Sequence, residues 1–552
     1  MALSLLLSAS TAFSAPPELK HLFPVAGHRG TSGAVSIGKT DAWPSVWVDT
    51  PGVKFTPTPM LGVYNVDTAA DAVPGPHLVR AWNAEGASAP RFFIVSEKPE
   101  ILAKEPNDTT ADAQSIESLP ATISGRLDKG GDVDCFAVSL KKGQTLVASV
   151  QAYVLASTVD PLLRVTDRSG RVVAFNHDSE TLDPFLVWEV PRDGIYVVQV
   201  LGFAYPAQAS VQLIGGEGCV YRLHLSVGPT VRYASPLNVK AGTKSSLHLI
   251  GWNLPTAEAE CDATGAASGA VVSRPSGLDA EWLEPVRATD FAEGIEEEPR
   301  RTDVTQEIPL PGAVTGRIRA AREEDRYKFT AGKSKAYEIA LIASKVGSPL
   351  DAWLRLEGAD GKELAKNDDA GSRDPRLTWT APADGTFTVV LGDLTHRGGD
   401  EFLYRIAINE AAPAISGSVA AHAYAVGAGK TAEIKATVKR VHGHKAAVEL
   451  AAINLPSGGT AAAVEVPEKG GEATLKLVAE ESAAAANQPF QLVLREKGNA
   501  HEQFVRYSIA STSEDNGVPQ GYADLVINST EQLWITVTPT KVEMPNAPPA
   551  TP

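Results

Sequence analysis

The sequence contains a long internal repeat, which constrains the fold more than any other feature of the chain. Twelve residues of one segment recur in a later segment at a constant separation of 191 positions, so that about 75 residues align without a gap. Beyond Tyr196 and Phe387 the register is lost, and YRLHL from Tyr221 then matches YRIAI from Tyr404 with eight extra residues in the first copy. Such an alignment does not arise by chance, so the chain contains two copies of one domain. The matched pairs are Pro120/Pro311, Gly125/Gly316, Arg126/Arg317, Asp134/Asp325, Asp160/Asp351, Gly170/Gly361, Asn176/Asn367, Asp178/Asp369, Asp183/Asp374, Pro184/Pro375, Asp193/Asp384 and Gly194/Gly385.

A second, fainter repeat precedes each copy of the first. Four residues recur at identical spacings, and each set begins a short segment in which apolar and polar residues alternate. This alternation is typical of a half-buried β-strand. We therefore expect a small β-domain, a larger β-domain, the same pair again and a C-terminal segment. The matched residues are Pro24, Gly30, Val35 and Ile37 in the first set and Pro236, Gly242, Leu247 and Leu249 in the second.

The larger repeat consists of short runs that favour β-strands, separated by turn sequences. TLVASV, RVVAFN, IYVVQV and VYRLHLSV alternate or are rich in β-branched residues, and DRSG, NHDSETLDP and PRDG lie between them. The segment from about Ala412 to Pro539 alternates in the same way and is followed by a Pro-rich tail. Helical periodicity is nearly absent. Short strands with frequent turns predict an all-β chain of sandwiches or jelly rolls.

The first 14 residues have the pattern of a secretory signal. Ala2 to Phe13 is an apolar run, and the small residues Ala12 and Ser14 precede a plausible cleavage point before Ala15. A charged n-region is missing, and a buried first strand or helix is the alternative. No later stretch reaches the roughly 18 apolar residues that a membrane helix needs. We therefore expect a secreted, periplasmic or cell-surface protein without a transmembrane segment.

Charge and motifs exclude several functional classes. The net charge of −16 argues against nucleic-acid binding, and three cysteines are too few for a disulfide-dense scaffold. The sequence has no G-x-S-x-G pentapeptide, P-loop or dinucleotide fingerprint. HEQFV at His501 lacks the second histidine of a zinc-protease motif, and the turn His442-Gly443-His444 lacks a third metal ligand. We therefore predict that the protein is not an enzyme.

The cysteines are expected to be structural rather than nucleophilic. Cys135 lies inside a predicted strand of the first large repeat, and Cys219 lies at the start of its last strand. A mutual disulfide, which export would permit and which would leave Cys261 free, is the alternative.

The segment EPNDTTADAQSIESLPATISGRLDKGGDVDCFAVSLKKGQTL carries a resemblance to a known family. With its EPND opening, D-x-D-x-F strand, N-x-D-x4-D-P turn and D-G-x-Y strand, the large repeat resembles the bacterial pre-peptidase C-terminal (PPC) domain. The flanking segments are similar to immunoglobulin-like (Ig-like) modules of the IPT/TIG kind. The resemblance implies jelly-roll β-sandwiches attached to secreted bacterial proteins, often proteases, as binding or processing modules.

The expected fold is therefore a tandem array of β-sandwiches in which two PPC-like jelly rolls alternate with Ig-like domains. The expected order is a signal peptide (1–14), an Ig/IPT-like domain (16–99), a first PPC-like sandwich (100–228), a degenerate Ig/IPT-like domain (229–292), a second PPC-like sandwich (293–411), a C-terminal Ig-like sandwich (412–541) and a Pro-rich tail (542–552).

Five side chains of the first PPC-like sandwich are candidates for a calcium site. Glu105, Asn107 and Asp108 supply three oxygen groups within four residues, and Asp132 and Asp134 alternate at the start of a strand. Calcium prefers six to eight oxygen ligands. The resemblance implies that these linker and strand residues converge on one calcium ion, as they do in related collagenase domains. The alternative is that the linker forms a capped turn and the aspartates cap loop ends.

The second copy is expected to lack a metal. EEPRRT, from Glu297 to Thr302, aligns with KEPNDT after a two-residue shift, so that Arg300 and Arg301 stand where Asn107 and Asp108 do in the first copy. The family often has a further acid two residues before the first, and in the first copy that position is Ala103. The sequence therefore predicts at most one calcium site.

Two further groups of residues are candidates for a functional role. Each copy has a cluster of Asn and Asp residues, called the Asx cluster below. Hydrogen bonds from these side chains to the backbone of turns explain it. Phe203 and Tyr205 lie where the first copy has its extra residues, and we consider them as exposed anchors for a polymer. Folding back over the edge of the core is the alternative. The Asx clusters are Asn176, Asp178 and Asp183, and Asn367, Asp368, Asp369 and Asp374.

We therefore predict a non-catalytic, exported bacterial protein that binds an extracellular polymer or an envelope protein. Two alternatives remain open. One is a structural spacer or surface-layer component, and the other is an accessory subunit of a secreted peptidase or an unrecognised hydrolase.

Overall fold

The computed structural model describes residues 15–40, 43–179, 181–204, 211–273, 278, 285–297, 305–370, 373–498, 502–511 and 525–539. The predicted signal peptide and Pro-rich tail lie outside the described residues, as do Tyr205, Arg300 and Arg301. The described chain is almost entirely β-structure, which confirms the predicted fold class. Its helical segments are two three-residue 3-10 helices, Tyr153–Leu155 and Ser344–Val346.

The first small domain is a two-sheet sandwich. One sheet has the order β1-β8-β6-β3, with β7 beside β6, and the other has the order β2-β5-β4. Alternating side chains of the two sheets, among them Val35, Tyr64 and Phe93, form its core. The strands are β1 (Ala26–His28), β2 (Thr31–Ser36), β3 (Ser45–Val48), β4 (Val53–Pro57), β5 (Val63–Thr68), β6 (Gly75–Asn83), β7 (Gly86–Ala87) and β8 (Arg91–Ser96).

The first large domain packs two five-stranded sheets around one core. The orders are β10-β12-β17-β14-β15 and β16-β13-β18-β11-β9. Strands β11 to β18 pass between the two sheets in the order of an eight-stranded jelly roll. The strands are β9 (Ile101–Leu102), β10 (Gln114–Ile116), β11 (Ala121–Arg126), β12 (Asp134–Leu140), β13 (Thr145–Gln151), β14 (Val159–Asp167), β15 (Val172–Asn176), β16 (Phe185–Glu189), β17 (Gly194–Ala204) and β18 (Val220–Ser226).

The second small domain is a reduced sandwich of two three-stranded sheets, β19-β21-β22 and β20-β24-β23. Its core is correspondingly small and centres on Val231, Leu247 and Leu249. The strands are β19 (Thr230–Ser235), β20 (Asn238–Lys240), β21 (Lys244–Trp252), β22 (Glu258–Asp262), β23 (Val271–Ser273) and β24 (Val286–Thr289).

The second large domain has the strand order of the first. Its sheets are β25-β27-β34-β29-β32 and β26-β28-β33-β30-β31, which match the first domain strand for strand. The strands are β25 (Ala292–Ile295), β26 (Gln306–Glu307), β27 (Gly312–Arg317), β28 (Glu324–Ala331), β29 (Ala336–Ile342), β30 (Ala352–Glu357), β31 (Glu363–Asn367), β32 (Arg376–Thr380), β33 (Gly385–Asp393) and β34 (Leu403–Glu410).

The C-terminal domain joins eleven described strands into one connected set. The main path is β36-β45-β42-β43-β35-β37-β41-β39, with β38, β40 and β44 attached at its sides. Ile434, Leu475 and Leu492 lie in its core. The strands are β35 (Ala414–Val419), β36 (Ala423–Gly427), β37 (Thr431–Val441), β38 (Val448–Ile453), β39 (Gly459–Ala461), β40 (Val464–Glu465), β41 (Gly471–Ala479), β42 (Ala486–Glu496), β43 (Glu502–Ser511), β44 (Leu525–Thr530) and β45 (Leu533–Thr538).

A buried carboxylate holds the same turn in both large domains. Asp183 accepts hydrogen bonds from the backbone N–H groups of Ala152, Tyr153 and Val154 at 2.8, 2.8 and 3.2 Å. Asp374 binds the equivalent turn, where Ala343, Ser344 and Lys345 donate at 3.0, 2.7 and 3.2 Å. Each carboxylate therefore caps the N-terminal end of one 3-10 helix, where backbone donors have no partner within the helix.

The capped turns form part of the junctions between small and large domains. Leu155, at the end of the first turn, packs with Val25 of the first small domain. Val346, at the same place in the second turn, packs with Leu237 of the second small domain. Val25 and Leu237 follow the matched residues Pro24 and Pro236. The small and large domains are therefore joined by equivalent contacts in both repeats.

The first and last domains also contact each other. Arg80 is fully buried, and its Nη1 lies 3.0 Å from Nδ1 of His422 while its Nη2 donates to the carbonyl oxygen of Gln532 at 3.1 Å. The rings of Trp47 and Trp82 lie 5.8 and 6.2 Å from that of Trp534. Two domains that are distant in the sequence therefore share a partly apolar, hydrogen-bonded interface.

Replacing Asp183 with alanine should destabilise the first large domain. The change leaves three backbone N–H groups without their acceptor, and each buried orphan costs about 1–3 kcal/mol. Since water enters part of the space, we expect a total loss on the order of 3 kcal/mol by chemical denaturation. Asp374→Ala should cost a similar amount in the second large domain, whereas Glu468→Ala, at an exposed site, should cost little. Equal effects of Asp183→Ala and Glu468→Ala would contradict this assignment.

The interface of the terminal domains should weaken in mild acid. Burial, together with the charges of Arg80 and Arg91, lowers the pKa of His422 from 6.5 to about 4. Below pH 6.5 His422 is therefore protonated in the unfolded chain but stays neutral in the folded chain. The free energy of unfolding falls as the pH approaches 4. We expect a loss of roughly 1 kcal/mol between pH 7 and pH 5, after allowance for partial exposure of the ring.

His422→Asn is the matched variant for this measurement, because its amide oxygen can accept from Arg80 but does not titrate. Denaturation of both proteins at pH 7 and pH 5 should show a smaller pH effect in the variant. The same pH effect in both proteins would exclude His422 as its source.

Candidate cation site

The candidate calcium ligands come from two segments of the first large domain that the backbone holds together. Glu105, Asn107 and Asp108 lie in the linker between β9 and β10, and Asp134 is the first residue of β12. The carbonyl oxygen of Asn107 accepts a hydrogen bond from the backbone N–H of Cys135 at 3.0 Å. This bond fixes the linker beside the start of β12.

The structure brings all five predicted residues into one cluster. Carboxylate oxygens of Glu105, Asp108 and Asp132 lie within 4.8 Å of one another. The side-chain oxygen of Asn107 faces two other acceptors, because it lies 3.2 Å from Asp134 Oδ1 and 3.1 Å from Glu105 Oε1. Asn107, Asp132 and Asp134 are at most 1% exposed.

Burial makes this cluster electrostatically costly. It raises the pKa of Asp134 to about 8 and, together with the neighbouring Asp108, that of Asp132 to about 6. The hydroxyl of Tyr221 donates to Asp134 Oδ2, and Lys129 Nζ lies 3.0 Å from Asp108 Oδ2. One lysine and one hydroxyl face four carboxyl groups, so the cluster has an excess of negative charge.

Two oxygen atoms of the cluster have no hydrogen-bond partner among the described residues. They are Oδ1 of Asp108 and Oδ1 of Asp132, and both are inaccessible to solvent. The nearest described cation to Asp132 Oδ1 is Lys129 Nζ at 3.8 Å. Unpartnered buried oxygens and a donor set made only of oxygens fit a hard divalent cation such as Ca²⁺.

The second large domain keeps the framework of this cluster. Tyr404 donates to Asp325 at 2.5 Å, as Tyr221 does to Asp134. Glu323 accepts from the backbone N–H of Arg319 at 2.7 Å, as Asp132 accepts from that of Asp128 at 2.5 Å. The aligned acids therefore retain their backbone and tyrosine contacts.

The interior of the second cluster is different from that of the first. Glu296 takes the backbone place of Ala103, because their N–H groups bind the matched residues Thr315 and Ser124. Tyr327 stands where the first copy has Phe136, and its hydroxyl lies 3.3 Å from Glu296 Oε1. Two tyrosine hydroxyls thus lie against the acids in the second copy.

The sequence comparison missed both Glu296 and Tyr327. The two-residue shift in the linker was the signal for Glu296. It aligns Glu298 with Glu105, so the further acid that the family often has two residues earlier falls on position 296. Tyr327 follows from the repeat alignment itself, in which a phenylalanine is replaced by a tyrosine.

Phe203 is not on a loop, contrary to our expectation. It lies near the end of β17, opposite Asp160 of β14, and its half-buried ring is 5.8 Å from that of His177. Strand pairing continues farther along the chain than its sequence indicated. Tyr205 lies outside the described residues, and a ligand-binding role for the pair stays a prediction.

The Asx clusters have backbone partners. Asn176 Oδ1 accepts from the N–H of Phe185 at 3.0 Å, and Asn367 Oδ1 accepts from that of Arg376 at 2.9 Å. Asp183 and Asp374 cap the 3-10 helices described above. These contacts explain most of the repeated pattern by turn structure.

The remaining motifs have local partners. Cys135, Cys219 and Cys261 are buried and none of them is in a disulfide bond, so the alternative disulfide is not formed. Cys135 is in β12 and Cys219 directly precedes β18, and these two strands belong to different sheets. His442 Nε2 lies 3.2 Å from Glu338 and His444 Nε2 lies 2.6 Å from Glu496, so the two imidazoles bind separate carboxylates.

No family model matches the chain. A probable subtilase-type serine protease of Deinococcus radiodurans is 34% identical over 98 residues, which are 17% of this chain and 14% of the protease. The chain therefore matches only a small part of this relative. Within the described residues, no helix has the length and apolar character needed to span a membrane.

Several solved structures are similar to parts of the chain. The pre-peptidase C-terminal domain of a Bacillus anthracis collagenase is 14% identical, and the match covers 20% of this chain and 98% of that domain, with a TM-score of 0.17. The fibronectin(III)-like modules of Clostridium thermocellum CbhA are 7% identical, with 40% and 97% coverage and a TM-score of 0.12. Likenesses at these TM-scores carry no inference about ligands.

Proposed function

We propose that the protein is a non-catalytic, exported β-sandwich protein that binds an extracellular polymer or an envelope protein. The contact between the first and last domains carries this proposal. It links the first domain with the fifth, and consecutive domains also contact each other. All five domains are therefore connected by contacts between domains. Binding residues commonly lie on loops that a rigid scaffold positions, and such a set of contacts provides that scaffold.

Specific side chains form each contact between domains. They are the Arg126 guanidinium over the Phe23 ring (first and second domains), Phe185 against Trp252 (second and third), the Tyr233 hydroxyl on the Gly347 carbonyl (third and fourth), His442 with Glu338 (fourth and fifth) and Arg80 with His422 (first and fifth).

We further propose that one calcium ion binds Glu105, Asn107, Asp108, Asp132 and Asp134. The unpartnered oxygens of Asp108 and Asp132 support this site. Because the linker follows the first small domain while Asp132 and Asp134 lie at the start of β12, the ion would hold that linker on the large domain. Its role is therefore structural, and no catalytic residue is assigned to it.

An accessory role beside a secreted peptidase is the second candidate. The match to a subtilase-type protease favours it, although the match covers only 14% of that protein. A spacer or surface-layer role would use the same connected domains without a saturable ligand.

The binding function is tested with the full chain on insoluble polysaccharides, matrix proteins and isolated bacterial envelopes. Saturable binding at micromolar protein, absent from heat-unfolded chain, is expected. Association with envelopes that never saturates would favour the spacer role and contradict the proposal. Hydrolysis of casein, gelatin or ester substrates that remains with the protein through purification would contradict the non-catalytic assignment.

Calcium should bind the full chain once and stabilise it. A ligand specific for the folded state adds RT ln(1 + [L]/Kd), which is about 2.7 kcal/mol at a hundredfold excess over Kd. We expect titration calorimetry of chelator-treated protein to give about one ion per chain, and thermal unfolding to show a midpoint raised by a few degrees.

Asp134→Asn should abolish this response to calcium. Asp325→Asn is its matched control, because Asp325 has the same strand position and the same tyrosine donor in the second large domain. The control should lower stability but keep the calcium response. Calcium binding that survives Asp134→Asn, or is lost in Asp325→Asn, would contradict the proposed site.

A further inference from the structure

A second cluster of metal-ligating side chains lies on the same sheet of the first large domain. Asp160 is on β14, and His177 and Asp178 form the turn after β15. One ligand atom from each residue lies within 4.8 Å of the other two. Strand β17 connects this cluster with the first, because Val200 pairs with Asp134 and Phe203 pairs with Asp160.

The distance between the two inner ligand atoms suits two ligands of one metal ion as well as an ion pair. His177 Nε2 lies 3.4 Å from Asp160 Oδ1, beyond the usual range for an N–H···O bond. Two ligands at about 2.0–2.2 Å from a tetrahedral zinc ion are roughly 3.4 Å apart. Both atoms are shielded from solvent, and neither has a hydrogen-bond partner among the described residues.

The turn that carries two of the ligands is held in place by its own hydrogen bonds. Asn176 Nδ2 donates to the carbonyl oxygen of Asp178 at 3.2 Å, and Asn176 Oδ1 accepts from Phe185 N–H at 3.0 Å. The Phe203 ring packs edge-on against the imidazole of His177. The histidine is therefore positioned before any ion arrives.

We propose that Asp160, His177 and Asp178 bind a divalent first-row transition metal ion, with zinc as the expected occupant. An imidazole with two carboxylates suits zinc better than calcium, which prefers oxygen ligands. Three protein ligands leave a fourth position for water or for an oxygen or nitrogen atom of a partner. Asp178 is half-exposed, its side chain being 53% accessible, so solvent reaches the cluster at this residue.

The second large domain lacks the imidazole. Its matched residues are Asp351, Asp368 and Asp369, so an aspartate replaces His177. This substitution provides an internal control for the role of the histidine. The proposal is independent of the calcium site, since the two clusters share no residue.

The test is zinc binding by the full chain after removal of metals with a chelator. Competition with a chromophoric chelator should give one zinc site in the wild type, and His177→Asp, which copies the second domain, should weaken it at least tenfold. Co²⁺ should give visible absorption bands of low-symmetry coordination that disappear in His177→Asp. Asp178→Asn, at a half-exposed position, keeps the test valid if the histidine variant fails to fold.

Two variants locate the ion. Asp368→Ala, at the matched position of the second large domain, and Asp134→Asn, in the calcium cluster, should both retain zinc binding. Absence of zinc binding in the wild type, or equal binding by wild type, His177→Asp and Asp178→Asn, would overturn the proposal. Loss of zinc in Asp134→Asn alone would place the ion in the first cluster and would overturn it as well.

Discussion

The arrangement of domains depends on the way one buried carboxylate holds a short turn. Asp183 and Asp374 each accept three backbone N–H groups and so keep a 3-10 helix in a fixed position at the end of a large domain. A sandwich core alone does not define such a turn, because its strands satisfy only their own backbone groups. The apolar residue that each turn presents then meets the small domain before it. One local interaction therefore determines a junction that is used twice.

The sequence was sufficient to predict the β-sandwiches but not the contact between the ends of the chain. Alternation and turn residues are local signals, and they describe strands such as β13 and β18 directly. A charged residue in an alternating strand is normally taken to face solvent. The local pattern is misleading for Arg80, which is buried. Its partners His422 and Gln532 are more than 340 positions away, and no local pattern reports such a contact.

The candidate cation site was predicted in part for a similar reason. The five candidate ligands of the first copy come from a recognisable linker and from the start of a strand. The two-residue slip in the second linker hid Glu296, which a gapless alignment pairs with Glu105 rather than with Ala103. A buried ion pair shows the same slip, because Arg222 binds Glu100 in the first copy and Arg405 binds Glu293 in the second. Three-dimensional contacts fixed an alignment that the residues alone left ambiguous.

The two copies differ in how they compensate buried negative charge. In the second copy two tyrosine hydroxyls lie against Glu296 and Asp325, and hydrogen bonds to a carboxylate offset part of its desolvation. In the first copy a phenylalanine replaces one of these tyrosines, and Asp132 keeps an oxygen without a hydrogen-bond partner among the described residues. An uncompensated buried carboxylate is unfavourable by several kcal/mol unless it is protonated or meets a cation. A bound cation is the compensation that we propose for the first copy, whereas the second copy places a further tyrosine hydroxyl, that of Tyr327, against its acids.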